Sequence, residues 1–321
     1  MSSAPNISSE ALLREFVERR YHVRVASLLR LDKGVFNANL HDGRSWVVRV
    51  FPTGRTLEQV EGDAAVLHLL EQHRFPSERC IDDRPASFVR NCAFLVTEFI
   101  EGVTPSPDTR TLTTFGEMLG RLHTLPIEDG PVTREAGALH HYVRSGGGPQ
   151  HELQAAADWL SEIEAQVQPQ HRARFDALRQ QAASADTCQH LPQAIIHPDP
   201  VLKNLLVSSG DLMLIDWTGA GRGPRLFSLA VAIWSCALQA GNWSPERIQA
   251  FIAGYRSHIQ LEEEELARLP GVMRVRPLAF ACWRYRHALL GNRQPDGSEW
   301  WWPSDDLAQA IADSALAAFQ V

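Results

Sequence analysis

The sequence predicts an α+β protein with two lobes: a small lobe of antiparallel β-sheet plus a helix, and a large, mainly helical lobe. Three observations support this fold class. The chain of 321 residues is long for one compact unit. Segments with strand character are concentrated before Phe99, whereas apolar residues recur at helical spacing in most of the chain after Gly102. One further pair of short strands is predicted between Leu205 and Ile215.

Helix starts and turns define the elements. Residues 8–20 have helical spacing behind a Ser-Ser-Glu start that can cap a helix. The Asp42-Gly43 pair is a hairpin turn, and residues 57–72 place apolar side chains on one helical face. The predicted strands of the small lobe are 27–31, 39–41, 45–51 and two within 88–99. The predicted helices of the large lobe are 112–125, 150–184 with a break at Pro169, 226–236, 245–259, 262–269, 274–290 and 304–319.

Composition and charge exclude several classes of protein. The net charge is −7, which argues against a nucleic-acid partner because such a partner needs a basic surface. The five cysteines are scattered without a C-x-x-C pair, as expected for reduced thiols in a cytoplasmic protein. The polar amino terminus does not resemble a signal peptide, and no apolar run reaches the ~18 residues of a membrane span, so no membrane partner is expected. The sequence does not indicate an oligomeric state.

The most informative segment runs from Ile195 to Asp216 and contains a predicted β-hairpin. Its strands are 205–207 and 212–215, and Ser208-Ser209-Gly210-Asp211 forms the turn. Asn204 precedes the first strand and Asp216 follows the second, so antiparallel pairing is expected to bring them together at one end. Asp199 lies five residues upstream of Asn204. Oxygen ligands of this kind suit Mg²⁺, which takes one or two protein oxygens together with phosphate oxygens and water.

This segment resembles the aminoglycoside phosphotransferase and choline kinase-like family, whose fold is protein-kinase-like. His197, Asp199 and Asn204 match the family's His-x-Asp-x-x-x-x-Asn motif, and Ile215-Asp216-Trp217 matches its Ile-Asp-Trp-type motif. The resemblance implies a small lobe over residues 1–96, a hinge at 97–102 and a helical large lobe over 103–321.

The resemblance also implies a reaction, in which the γ-phosphoryl group of ATP or GTP passes to a hydroxyl group of a small molecule. Asp199 would accept or orient the proton of that hydroxyl group, while Asn204 and Asp216 would hold Mg²⁺ on the nucleotide phosphates. Thr97 C=O and Phe99 N–H would bind the nucleobase at the hinge.

Two further parts of the nucleotide site follow from the same resemblance. Arg49 lies where the family usually has Lys, and Glu61 on the next helix is the matching acid. Asp63 is a possible substitute, and an ordinary salt bridge is the alternative interpretation. Residues 33–39, with Gly34 and Asn37, occupy the position of the phosphate-covering loop, although a plain hairpin turn explains them nearly as well.

Some positions depart from the family or have more than one interpretation. Ser228 stands where relatives often carry an Asp that braces the catalytic loop, so that bracing is in doubt. His197 is expected to brace the loop rather than to transfer protons. Lys203 could reach the γ-phosphate, but a solvated lysine is preferred. His123, at the end of the helix over 112–125, is expected to pack rather than to act in catalysis.

The acceptor substrate is left open. Family frequency and net acidity favour an aminoglycoside-type antibiotic, with choline, homoserine, a sugar or another metabolite alcohol close behind. The acidic run 262–265 could hold such an amine-rich antibiotic, although a helix N-terminus is the preferred explanation. Trp300-Trp301-Trp302 could line a cleft for a sugar or an aromatic substrate. The rival class is a non-catalytic nucleotide-binding protein, which would be expected to lack one of the three motif residues that the chain retains.

Overall fold

The computed structural model describes residues 10–51, 54–127, 132, 134–136, 148–239, 242–291 and 305–320. The chain forms two compact units. Unit 1 consists of Met1–Val103 and Leu206–Thr218, and unit 2 consists of Thr104–Leu205 and Gly219–Val321. The lobe boundaries given above stay a prediction.

Unit 1 is built on a five-stranded antiparallel sheet in the order β1-β2-β3-β5-β4. Its strands are β1 (Val25–Asp32), β2 (Val35–Leu40), β3 (Ser45–Val50), β4 (Ala86–Val89) and β5 (Cys92–Glu98). Helix α1 (Glu10–Tyr21) precedes the sheet, and helix α2 (Leu57–Gln72) follows the third strand. The predicted number of strands and the position of the inserted helix are therefore confirmed.

Successive strand residues point to opposite faces of this sheet. One face packs against Leu13 and Val17 of α1, and this buried cluster includes Phe36, Val48 and Phe94. Helix α2 begins at a capping box, in which Thr56 and Gln59 bond each other's backbone N–H groups.

Strands β6 (Gln193–Ile196), β7 (Leu205–Ser208), β8 (Asp211–Leu214) and β9 (Gly221–Pro224) follow later in the chain. The pair β7–β8 is the predicted hairpin. Its turn is possible because Ser209 and Gly210 both adopt positive φ, at 52° and 92°. Within unit 1, Leu214 N–H donates to Pro76 C=O, and Val207 pairs with Val103.

Unit 2 is mainly helical and contains the antiparallel pair β6–β9. Unit 2 also contains an antiparallel pair of two-residue strands, β10 (Leu238–Gln239) and β11 (Asn242–Trp243). Its helices are α3 (Thr109–His123), α4 (Gly148–Ile163), α5 (Arg172–Ser184), α6 (Arg225–Ala237), α7 (Pro245–Arg256), α8 (Glu263–Met273), α9 (Val275–Leu290) and α10 (Asp305–Gln320).

Helices α3 and α7 pack closely through two glycines. A Cβ atom on Gly116 would lie 1.9 Å from Phe251 O, and one on Gly254 would lie 1.9 Å from Thr113 O. Neither position has room for a side chain, which explains the residue type at both. Within the described ranges, none of the helices combines the length and the apolar character that a membrane span needs.

Candidate active site

Arg49 lies in the middle of β3, on the sheet face opposite the α1 cluster. Its Nη2 atom lies 3.1 and 3.2 Å from the two carboxylate oxygens of Glu78. Its Nη1 atom donates to Asp216 Oδ1 and, at 3.2 Å, to Thr218 Oγ1. Burial alone would lower the pKa of the guanidinium, but the charges of Glu78 and Asp216 outweigh that effect and raise it. Arg49 is therefore a permanent cation, and its side chain is 12% exposed.

The prediction that Glu61 pairs with Arg49 is wrong. Glu61 is an exposed residue of α2, and the acids that contact Arg49 are Asp216 and Glu78, which follows α2 in the chain. Asp63 lies on the buried face of α2, where it forms an ion pair with Arg55. The register of α2 is set by its apolar stripe, which turns Glu61 away from β3.

Glu78 is a site residue that sequence reasoning missed. Its carboxylate accepts the hydroxyl of Thr97 at 3.1 Å and the backbone N–H groups of Asp216 and Trp217 at 3.0 and 3.3 Å. Asp216 has φ +68°, in the left-handed region that few residues other than glycine adopt. The bonds to Glu78 fix the backbone at this unusual position.

The predicted nucleobase contacts of Thr97 and Phe99 stay a prediction, and the structure places the backbone groups concerned within the sheet. Phe99 N–H donates to Ser45 C=O at 2.9 Å. Thr97 lies within β5 opposite Val47, and its carbonyl faces β3 because residues two apart in a strand bond on the same side. Pairing with β3 thus continues beyond the point where the sequence suggested that the strand ends.

The predicted phosphate-covering loop over 33–39 is also shorter than expected. Strand β2 begins at Val35, so Asn37 is a buried strand residue between Leu29 and Val47 rather than a loop residue. Gly34 lies in the tight turn with φ +76°, and a Cβ atom there would lie 2.5 Å from Val50 O. Backbone geometry alone therefore accounts for this glycine.

In unit 2, Asp199 lies on a loop with a well-defined backbone. Its N–H donates to Nδ1 of His197 at 3.0 Å. Its carbonyl accepts Nδ2 of Asn204 and the N–H of Val201, both at 2.9 Å. His197 is fully buried, and its ring holds the loop as expected. Asp199 itself is accessible, with 37% of its side chain exposed.

Two cations flank the Asp199 carboxylate. Lys203 Nζ lies 3.2 Å from Oδ2, and this lysine is mostly exposed, so it is both solvated and paired. Arg276 Nη1 lies 3.5 Å from Oδ1 on the buried side. Arg276 belongs to α9, more than seventy positions along the chain, and sequence reasoning missed it. The Asp199 carboxylate therefore lies between an exposed cation and a buried one.

The acidic run 262–265 and His123, each of which had two interpretations, have structural roles. The acidic run caps α8, where Glu262 N–H donates to Glu265 Oε2 at 3.0 Å and Glu265 is paired with Arg225. His123 is buried, with its Nδ1 3.0 Å from the hydroxyl of Tyr255. Burial, and to a smaller extent Arg225, lowers the pKa of His123 to about 3, so this histidine is neutral. Trp300-Trp301-Trp302 lies outside the described residues.

The proposed metal ligands, Asn204 and Asp216, each have a side-chain oxygen atom of the type that binds Mg²⁺. The amide nitrogen of Asn204 is used by Asp199 C=O, which leaves its amide oxygen as an acceptor. The Asp216 side chain is 44% exposed, with Oδ1 bonded to Arg49. Among the described residues, no group of three or more His, Cys, Asp or Glu side chains could hold a metal by itself. Each of these oxygen atoms is of the kind that Mg²⁺ takes beside nucleotide phosphates and water.

Comparison with solved structures shows the fold. An amicoumacin kinase, determined with AMP-PNP, Ca²⁺ and amicoumacin, is similar with a TM-score of 0.65 and 13% identity, over 97% of this chain and 93% of that one. A type VIII aminoglycoside-3'-phosphotransferase is similar with a TM-score of 0.58 and 20% identity, over 83% and 99%. The predicted α+β, protein-kinase-like fold class is confirmed.

Sequence comparison shows the family. The homoserine kinase of Zymomonas mobilis subsp. mobilis is 24% identical over 273 residues, which are 81% of each chain. The model of the phosphotransferase enzyme family matches residues 30–261. Because that match covers more than half of the chain, the protein belongs to the phosphotransferase enzyme family and is an enzyme that transfers phosphoryl groups.

Proposed function

We propose that the protein transfers the γ-phosphoryl group of ATP to the hydroxyl group of a small metabolite, with homoserine as the first candidate acceptor. The observation that carries this proposal is the placement of Asp199, an accessible carboxylate on a loop fixed by His197 and Asn204. Such a group can orient an acceptor hydroxyl while the surrounding backbone stays fixed.

In the proposed reaction, the acceptor oxygen forms a bond to the γ-phosphorus as the bond between that phosphorus and the β–γ bridging oxygen breaks. Asp199 receives the hydroxyl proton and releases it to solvent, and ADP leaves. The positive charge of Arg49 stabilises the phosphate oxygens. Asn204 and Asp216 would hold Mg²⁺, which when bound neutralises charge on the nucleotide phosphates.

The choice of acceptor rests on sequence similarity. The homoserine kinase relative aligns over 81% of both chains. Homoserine is small and carries one primary hydroxyl group, so one carboxylate can serve it. This proposal places a metabolite alcohol ahead of the aminoglycoside that the sequence alone favoured.

An aminoglycoside-type antibiotic is the second candidate. It is favoured by the similarity to the aminoglycoside-3'-phosphotransferase, which covers 99% of that chain. ATP is placed ahead of GTP because the amicoumacin kinase structure contains AMP-PNP.

The test is mass spectrometry of the purified protein incubated with MgATP or MgGTP and, separately, homoserine, choline, a sugar or an aminoglycoside. A product of homoserine heavier by one phosphoryl group, absent with Asp199→Asn, is expected. Phosphorylation of the aminoglycoside alone would establish the second candidate instead. Nucleotide binding without any product would contradict the proposed activity on these acceptors. Asp216→Asn is expected to weaken Mg-dependent nucleotide binding in a calorimetric titration.

A further inference from the structure

A buried ion pair lies directly behind the Asp199 loop in unit 2. Arg276 on α9 is 5% exposed and Glu152 on α4 is 1% exposed. Arg276 Nε donates to Glu152 Oε2 at 3.0 Å. Burial raises the pKa of Glu152, and the charge of Arg276 partly offsets that rise. Because a buried ion pair often adds little to stability compared with apolar side chains, stability alone does not account for this pair.

The two Nη atoms of Arg276 also reach the loop, although Nη2 lies 2.9 Å from Glu152 Oε1 as well. Nη2 donates to Pro198 C=O at 2.8 Å, and Nη1 lies 3.5 Å from Asp199 Oδ1. Nη1 makes no hydrogen bond to the described residues. Its ion pair with Asp199 is therefore the contact that accounts for its position. Arg276 thus contacts both the backbone before Asp199 and the Asp199 carboxylate.

Helix α6 fixes the plane of this guanidinium. The Arg276 Cζ atom lies 5.2 Å from the centre of the Phe227 ring, and Phe227 is itself buried. The next residue, Ser228, reaches the loop only through a bond of 3.4 Å from Oγ to His197 C=O. The loop is therefore held more strongly by Arg276 than by the residue at the position where relatives often carry an acid.

We propose that Arg276, oriented by Glu152, is a positioning residue that fixes the Pro198–Asp199 backbone and aims the Asp199 carboxylate at the acceptor hydroxyl. This inference rests on the proposed function of Asp199. An arginine is required because its planar group serves three partners at once: Nε bonds Glu152, Nη2 bonds Pro198 C=O, and Nη1 forms an ion pair with Asp199. A lysine keeps the charge but offers a single nitrogen, which cannot reach all three acceptors.

The test compares Arg276→Lys with Arg225→Lys as a matched control. Arg225 grips the buried Glu265 with Nε and Nη2 at 2.9 and 2.6 Å, so the control also breaks a two-pronged ion pair of unit 2. Arg276→Lys is expected to lower kcat by about 100-fold with little change in the nucleotide KM, as a misplaced reacting group does. In hydrogen–deuterium exchange, amides of residues 199–204 should exchange faster. Arg225→Lys should change neither quantity.

The double variant Arg276→Met/Glu152→Met tests the same role without leaving one buried charge unpaired. It is expected to stay folded by circular dichroism, and to lose kcat and loop protection as Arg276→Lys does. Wild-type kcat and wild-type exchange of residues 199–204 in either Arg276 variant would overturn the inference. An equal loss in Arg225→Lys would also overturn it. If the wild-type protein phosphorylates no acceptor, the proposed function fails, and loop exchange alone decides whether Arg276 holds the loop.

Discussion

The carboxylate of Glu78 accepts the backbone N–H of Asp216 at 3.0 Å, although 138 positions separate the two residues in the chain. The same carboxylate is the ion-pair partner of Arg49. Glu78 therefore links the cation of β3 to a backbone position with φ +68°. The acid that organises this part of unit 1 lies outside α2, whereas the sequence had suggested an acid within α2.

Replacing Glu78 tests this link. Glu78→Gln removes the charge that Arg49 faces and replaces one acceptor oxygen with a donor, so backbone N–H groups of Asp216 and Trp217 lose their partner in one amide orientation. We expect the free energy of unfolding to fall by about 1.5–3 kcal/mol in urea titrations. Glu61→Gln is the matched control. Because Glu61 is exposed, this substitution should change the free energy of unfolding by no more than about 0.5 kcal/mol. The reverse order of effects would contradict the assignment.

Arg49→Lys introduces the residue that is usual at this position in the family, yet it should destabilise this protein. One ammonium group cannot contact Glu78, Asp216 and Thr218 in the way that the two Nη atoms do. A loss of at least about 1.5 kcal/mol is expected in urea titrations. Arg44→Lys, at an exposed ion pair with Asp42, should leave stability unchanged within error. Equal effects of the two substitutions would show that the geometry of the Arg49 fork is unimportant.

The buried His123 predicts a pH dependence of stability. Its pKa is lowered from 6.5 to about 3 in the folded protein, so the unfolded chain binds a proton there that the folded protein does not. The folded protein therefore keeps its full stability above pH 6.5, where His123 is neutral in both states. As pH falls from 6.5 toward 3, the free energy of unfolding decreases by about 1.4 kcal/mol per pH unit. His123→Gln, which keeps a hydrogen-bonding group near Tyr255, should flatten this part of the curve. Urea titrations of both proteins at pH 7, 6 and 5 would reveal it, and parallel curves would contradict it.

The close approach of α3 and α7 makes Gly116 intolerant of a side chain. Gly116→Ala places a Cβ atom against Phe251 O and is expected to cost about 1–3 kcal/mol of stability. Gly271→Ala in α8 is the control, because its Cβ atom would lie 3.5 Å from the nearest heavy atom, an ordinary contact. Alanine there should be neutral or stabilising by up to about 1 kcal/mol. Thermal or urea unfolding distinguishes the two, and a neutral Gly116→Ala would contradict the packing described.

Local sequence signals predicted the parts of the structure that local forces determine. The β7–β8 hairpin, the strand Ser45–Val50 and helix α2 each follow from apolar spacing and from turn residues within a few positions. The pairing of Arg49 with Glu78 could not be predicted in this way. Glu78 lies in a segment without periodic apolar residues, and only the folded chain brings it beside Asp216.

The same distinction applies to the candidate site. His197 and Asn204 are placed by bonds within the Asp199 loop, so their spacing in the sequence was informative. Arg276 and Glu152 reach the loop from two separate helices, and neither belongs to a motif. The contacts of Thr97 and Phe99 were assigned from the position of the hinge, but tertiary pairing of β5 with β3 extended the strand.

The most direct test of the account is the turnover number of Asp199→Asn, measured beside the wild-type protein with MgATP and the acceptor that the mass-spectrometric screen identifies. The substitution keeps the shape of the side chain and removes the group proposed to take the hydroxyl proton. Turnover should fall by about 100-fold or more, with nucleotide affinity nearly unchanged. Turnover close to that of the wild-type protein would contradict the role assigned to Asp199 and, with it, the proposed mechanism.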